Sequence, residues 1–327
     1  MEKSLDDWYA CEIDRGELKA LTRRSDARGL AQFGGFLALV AASGVLAYQS
    51  LGTVWVIPAF FIYGTIFAFA EAASHELDHG TPFRTRWLND AGAWIACFMM
   101  WREPVFGRYK HARHHTYTSI IGSDPEGAGF RSRNLVDQVF EMLIRYRHAH
   151  LHMGATIRHA FGIVSDRDRD FFGIPESEHR RMFWNSRLLL IAYVAVIAWA
   201  VVAQSWLPIV FLLLPHSYGA WLHDLCSRAQ HDGLVTNIKD HRMTTRTMLL
   251  GPVLRFLYWN MNYHIEHHLY PNVPFHALPK LREKIKDQLP PPSKGLMATW
   301  GEILPALVKQ RKDPDYHLMP VLPKAAA

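Results

Sequence analysis

The chain has 327 residues, of which 20% are charged, 13% are aromatic and three are cysteines. Cys11, Cys97 and Cys226 stand at no metal-like spacing, which excludes a disulfide framework and a cysteine-held iron–sulfur site. The formal net charge of +6 is compatible with nucleic acid, anionic lipid or an acidic protein as partner, so the distribution of the basic residues has to decide between them.

Two apolar blocks, residues 30–74 and 188–225, contain neither lysine nor arginine. Each block is interrupted once by a short polar turn, and each half is close to the ~20 residues that cross the hydrocarbon core of a bilayer. The predicted spans are residues 30–48, 54–73, 188–204 and 207–225. This pattern predicts an all-α integral membrane protein, with a four-helix bundle of two transmembrane hairpins.

The basic residues lie in the N-terminal segment, between the two apolar blocks and in the C-terminal region. The positive-inside rule therefore places both termini and both polar regions in the cytoplasm, and nucleic acid is not needed as a partner. We predict a single domain over residues 1–327, in which 74–187 and 226–327 form a cytoplasmic helical cap. Two buried hairpins in a soluble protein are the alternative interpretation.

Eight of the 19 histidines fall into three compact boxes, SHELDHG, HARHH and HIEHH. Residues three and four apart share one helix face, so each box can aim two or three imidazoles at one point. Eight imidazoles are too many for one ion and suit two metals, and imidazole binds iron, zinc or copper. The box histidines are His75, His79, His111, His114, His115, His264, His267 and His268.

His231 in SRAQHDG follows the last apolar block by a few residues, on the predicted cytoplasmic side. From spacing alone a lone histidine is more often structural, so both interpretations stay open at this point. His148, His150 and His152 alternate in RHAHLHMG, which is no helical ligand spacing and predicts a solvated or interfacial segment.

The order HELDH, HARHH and NYHIEHHLYPNVP, interleaved with two apolar hairpins, resembles the membrane fatty acid desaturase and hydroxylase superfamily over roughly residues 30–285. The wording HELDHGT and KHARHHTYT is similar to bacterial hydrocarbon-oxygenase-like members, which implies the bacterial inner membrane. Two features depart from some acyl-CoA desaturases: Ser227 stands where they have asparagine, and three residues rather than four separate His75 from His79.

The resemblance implies a non-heme di-iron centre held by the eight box histidines, with His231 as a ninth ligand. Asp78, Asp232 and Glu266 lie beside these residues and are candidates to orient them by accepting a ring N–H. It further implies O2 as co-substrate and oxidation of an unactivated C–H bond in a lipid-like or other small organic substrate. The chain has no flavin or nicotinamide fingerprint, so we expect electrons from an external ferredoxin or rubredoxin with its NAD(P)H reductase.

Two other classes of protein fit parts of the pattern. His75-Glu76-Leu77-Asp78-His79 is literally H-E-x-x-H, the signature of an intramembrane zinc metalloprotease, but that reading leaves the two other boxes unexplained. A metal store or transporter would favour ionisable groups inside the spans, which carry few besides Glu71. Within the oxygenase class, the sequence leaves desaturation and hydroxylation open, because they differ in sub-ångström positioning of the substrate.

Overall fold

The computed structural model describes residues 8–127 and 134–323, so the ends of the predicted 1–327 domain and six residues of the predicted cap lie outside it. The described residues form an all-helical fold with two isolated β-bridges, which confirms the fold class. A π-helical turn covers Arg167–Phe171 and a 3₁₀ turn Lys286–Gln288. In chain order the α-helices are α1 Arg15–Leu21, α2 Asp26–Gln49, α3 Val56–Ala68, α4 Ala70–Asp78, α5 Arg86–Met99, α6 Pro104–Tyr117, α7 Leu135–Ile144, α8 Tyr146–Ala160, α9 Glu176–Val202, α10 Leu207–Leu212, α11 Pro215–Gly219, α12 Trp221–Ala229, α13 His241–Thr244, α14 Pro252–Leu257, α15 His264–Leu269, α16 Leu278–Ile285 and α17 Leu296–Gln310.

Within the described part of the chain, three helices are long and apolar enough to cross a membrane: Asp26–Gln49, Val56–Asp78 and Glu176–Val202, of 24, 23 and 27 residues. Large apolar side chains cover their outer faces; Leu46, Ile57 and Val202 are each more than 60% exposed. A contiguous exposed apolar surface of this kind is rare on soluble proteins and fits contact with acyl chains. The second helix continues to Asp78, and the third begins at Glu176, beyond the predicted limits 54–73 and 188–204.

The predicted fourth span, 207–225, is not one helix but the three short helices α10, α11 and α12. Pro215 begins α11. Proline has no backbone N–H and crowds the carbonyl four residues earlier, so α10 ends at Leu212. This corrects the prediction of a continuous fourth helix, because the apolar composition of a segment does not reveal where its helix breaks.

Helix α11 packs directly on α3 through two glycines. A Cβ atom added to Gly219 would lie 2.0 Å from the carbonyl of Gly64, so the two backbones touch and leave no room for a side chain. Small residues permit this close approach of helices inside a membrane. The contact holds residues 215–224 against the second spanning helix.

Two apolar clusters of the cap pack against the helices that carry the second and third histidine boxes. Val105 and Phe106 at the start of α6 pack with Ala155 of α8 and Met182 of α9, which fixes the helix that carries the second box. Ile265 in the third box belongs to a separate cluster with residues of α16 and with the N-terminal segment 9–21. The second and third boxes are therefore held in place by packing on other elements of the cap.

Candidate metal centre

The first box lies at the C-terminal end of the second spanning helix. His75 lies in the last turn of α4 and His79 is its C-cap. Gly80 follows in the left-handed conformation, with φ +62°, which ends the helix directly after the box. The box therefore sits at one end of a membrane span, with its two imidazoles one turn apart.

The second box occupies the last two turns of α6. Glu103 caps this helix: its carboxylate accepts hydrogen bonds from the backbone N–H of Val105 at 3.0 Å and Phe106 at 2.6 Å. His111 and His115 are four residues apart on one face, and their Nε2 atoms lie 3.1 Å apart.

The third box lies on the six-residue helix α15, which follows two residues in the left-handed conformation, Trp259 and Asn260. The Nδ2 atom of Asn262 donates to the carbonyl of Met248 at 2.7 Å and anchors the entry to the helix. After the box, the backbone N–H of Phe275 donates to Glu76 Oε1 at 2.9 Å, which ties the tail of the third box to the helix of the first.

The structure brings all nine predicted histidines together, in two groups. Within each group the potential ligand atoms lie within 4.8 Å of one another. The rings of His115 and His268, one from each group, stack with centroids 4.2 Å apart, so the groups adjoin. The first group is His75, His79, His111, His115 and His267, and the second group is His114, His231, His264 and His268.

The separations of the ring nitrogens test whether the groups fit metal ions. The Nε2 atoms lie 2.9 Å apart for His75 and His267, and 3.1 Å apart for His264 and His231. Two donors about 2.1 Å from one ion are about 3.0 Å apart at a right angle and about 3.4 Å apart at the tetrahedral angle. These separations allow the donors of each group to share one ion, and the five histidines of the first group exceed the four ligands of a tetrahedral zinc site.

Two of the Nδ1 atoms, those of His114 and His231, have partners that fix the ring orientation. His114 Nδ1 pairs with Asp124 Oδ1 at 2.8 Å, and His231 Nδ1 with the carbonyl of Thr244 at 2.9 Å. Carboxylates and carbonyls in this position set the tautomer and leave Nε2 free to coordinate. Sequence reasoning missed Asp124, because it lies ten residues after His114 in a loop, where no helical spacing points to it.

Burial sets the charge of the imidazoles. Burial and the neighbouring imidazoles lower the pKa of His79 and of His267 well below the usual range, so both are neutral at pH 7, as ligands must be. At His114 burial lowers the pKa, but the carboxylates of Asp124 and Glu126 raise it, and the net shift is upward. Asp124 also pairs directly with Nδ1 of this ring.

The three acids that were candidates to orient ligands form ion pairs with arginines. Each carboxylate is buried, and a buried carboxylate needs a charged or hydrogen-bonding partner. The pairs are Asp78 with Arg102 at 2.7 Å, Asp232 with Arg228 at 2.9 Å and Glu266 with Arg282 at 2.5 Å.

Glu76 does not occupy the place of a metalloprotease base. It follows His75 by one residue, about 100° around the helix, and is fully buried. Its Oε1 atom accepts from Thr81 Oγ1 at 2.5 Å and from the backbone of Phe275 at 2.9 Å. These contacts make Glu76 a structural link between the first and third boxes.

A second set of polar side chains lies one helical turn from His75. Arg145 donates to Glu71 and, at 2.9 Å, to Asp224, and His216 Nε2 lies 3.1 Å from Glu71. The interpretation of 148–152 as solvated is wrong for His152, which is 4% exposed on α8. Glu71, an ionisable residue in an apolar span, was the available signal. We call this set the polar cluster: Glu71, Arg145, His148, His152, His216, His223 and Asp224.

The fatty acid desaturase family matches residues 52–300, which include all nine histidines and the polar cluster. The chain belongs to the fatty acid desaturase family. The family match and the three candidate spanning helices together support a membrane protein. Among curated proteins, the Delta(5) fatty acid desaturase fat-4 of Caenorhabditis elegans is 24% identical over 251 residues, covering 65% of this chain and 53% of the relative. The chain spans about half the length of that desaturase.

Proposed function

We propose that this desaturase-family chain is an O2-dependent, non-heme di-iron oxidoreductase. It oxidises an unactivated C–H bond of a lipid-like or other small organic substrate, by desaturation or hydroxylation. The observation that carries the proposal is the convergence of nine histidines into two adjoining groups, each of which could hold one metal ion. The name of the C. elegans relative supports a fatty acid among the candidate substrates.

The residues divide into holding and orienting roles. The first histidine group holds one iron and the second group holds the other. Bound iron supplies the activation of O2. Asp124 keeps a proton on Nδ1 of His114, so that Nε2 offers its lone pair. Burial of His111, His264 and His268 keeps bulk water away from the donor atoms.

Location and partners follow from topology and from what the chain lacks. The positive-inside distribution supports a bacterial inner-membrane protein whose termini and histidine boxes face the cytoplasm. An external ferredoxin or rubredoxin with its NAD(P)H reductase delivers the electrons.

Metal analysis of the detergent-purified chain tests the proposal, followed by O2 consumption with NAD(P)H, reductase and ferredoxin. Fatty acids, alkanes, carotenoids and methylated amines form the substrate panel. We expect about two irons per chain, because the two donor groups are separate. One zinc and no iron would contradict the proposal.

A variant pair sharpens this test. His268→Ala removes a donor from the second group and is expected to leave one iron or none, with loss of O2 consumption. His150→Ala is the matched control, since His150 is an exposed histidine outside both groups. Equal iron content in the two variants would show that His268 holds no metal.

A further inference from the structure

A cavity of about 280 Å³ adjoins the first histidine group, whose His75 and His111 form part of its wall. Five acidic side chains, five basic side chains and five histidines line it, out of 23 lining residues. Ligand pockets are usually lined mainly by apolar side chains with a few polar groups. This cavity is much richer in charged and titratable side chains than such pockets, although apolar side chains also line it.

Two sets of paired charges line the cavity. In one set Arg145 bridges Glu71 and Asp224. In the other set Lys110 pairs with Glu126 at 2.6 Å, and Glu126 Oε2 lies 3.7 Å from His111 Nδ1. A molecule that enters therefore meets both donors and acceptors next to the histidine groups.

Four buried polar atoms on residues that line the cavity have no hydrogen-bond partner within the described chain: Nε of Arg102, Nε of Arg145, Nδ1 of His152 and Nδ1 of His223. Arg145 and His152 are 6% and 4% exposed as whole residues. Buried polar groups in native proteins nearly always have a hydrogen-bond partner. These atoms point to a ligand that supplies one.

An alkyl chain is a poor occupant of such a wall. It makes no hydrogen bonds, and it would displace water from charged side chains without replacing the lost bonds. A compact polar molecule replaces them. The cavity volume of about 280 Å³ lies at the lower end of the range for ligand pockets, about 300–1,000 Å³, which suits a small molecule or group.

We propose that this cavity binds the polar part of the substrate, a compact group that carries hydroxyl or amine donors together with acceptors. Glu71, Arg145 and Asp224 hold it, and the bond to be oxidised lies beside His75. The inference rests on the proposed function and narrows its substrate class to a small polar molecule or a lipid with a polar headgroup.

Thermal unfolding of the iron-loaded chain in nanodiscs, titrated with matched probes, tests this inference. Glucosamine and myo-inositol represent free polar molecules, sn-glycero-3-phosphocholine a lipid headgroup, and decanoate and oleate plain acyl chains. We expect saturable stabilisation by a polar probe, and the probe that stabilises identifies the source. Stabilisation by acyl probes alone, or by no polar probe, would overturn the inference.

Three variants separate binding from folding. Asp224→Asn removes one charge of the wall and is expected to weaken binding about tenfold. Ser227→Met fills the cavity without removing a charge and is expected to abolish binding. Asp315→Asn, exposed and outside the cavity, is expected to change nothing. Unweakened binding in both cavity variants would overturn the inference. Iron content measured on the same samples reports on the proposed function, so the two failures remain distinct.

Discussion

The two histidine groups and the polar cluster are neighbours with opposite electrostatics. Each histidine group gathers donors of one kind, which lower one another's affinity for protons and become compatible when an ion binds between them. The polar cluster combines Arg145 with Glu71 and Asp224, so its charges compensate one another within the protein. The donors of the histidine groups need a metal ion between them, whereas the charges of the polar cluster are paired without one.

The histidine groups can be predicted from the sequence, whereas the polar cluster cannot. Ligands of a histidine group recur within short helical segments, and their spacing carries the signal. The polar cluster takes one residue each from α4, α11 and the junction before α8, and two each from α8 and α12. His148 and His152 are four residues apart on α8, and the other five positions form no recurring pattern.

Removal of the arginine is the strongest way to break the polar cluster. Arg145→Met leaves the buried Asp224 carboxylate and the partly buried Glu71 carboxylate without their cation, so we expect a loss of about 3–5 kcal/mol in unfolding free energy. Chemical denaturation in detergent measures it. Arg147→Met is the matched control, because that side chain is 46% exposed in its ion pair, and such pairs are worth about 0–1 kcal/mol. Similar losses in the two variants would show that the cluster is not a buried ion network.

A larger side chain at the contact between α3 and α11 should displace α11, which carries His216 of the polar cluster. Gly219→Ala puts a Cβ against the Gly64 backbone and is expected to cost about 1–3 kcal/mol. Gly34→Ala is the control, since no atom lies within 4 Å of its added Cβ; helix propensity makes it neutral or stabilising by up to about 1 kcal/mol. If thermal unfolding shows equal effects, α11 does not depend on direct backbone contact.

The smallest expected effect falls on the histidine groups. Asp124→Asn removes the negative charge beside His114, but an amide oxygen still accepts the Nδ1 proton. We therefore expect about tenfold weaker iron binding by titration, at the low end of the range for residues that orient ligands, with full occupancy at saturation. Asp315→Asn again serves as the control. An unchanged affinity would mean that the ring is held by packing alone.

The sequence predicted the helical class, the three long spans and the convergence of the boxes, because apolar length and histidine spacing are local properties. It did not predict the break at Pro215. Proline is tolerated in membrane helices, so its presence alone does not mark an end. The contact of Gly64 with Gly219 joins residues 155 positions apart and is likewise invisible locally.

At the metal centre, histidine spacing in the sequence predicted the metal ligands, but it did not predict the acidic and basic side chains around them. Asp78 and Glu266 pair with arginines from other elements, and Asp124 reaches His114 from a loop. Adjacency in sequence did not point to Asp124, and an orienting role of Asp78, Asp232 and Glu266 stays a prediction. Partners of this kind depend on tertiary packing rather than on spacing.

Glu71 and His75 stand on the same face of one continuous spanning helix, four residues apart. The rise between them is about 6 Å, and it is fixed by backbone hydrogen bonds rather than by the bilayer. A substrate anchored at its polar end would accordingly be oxidised at a set number of bonds from that end, whatever the length of its remainder. The rise of the helix between Glu71 and His75 would then determine which bond of the substrate is oxidised.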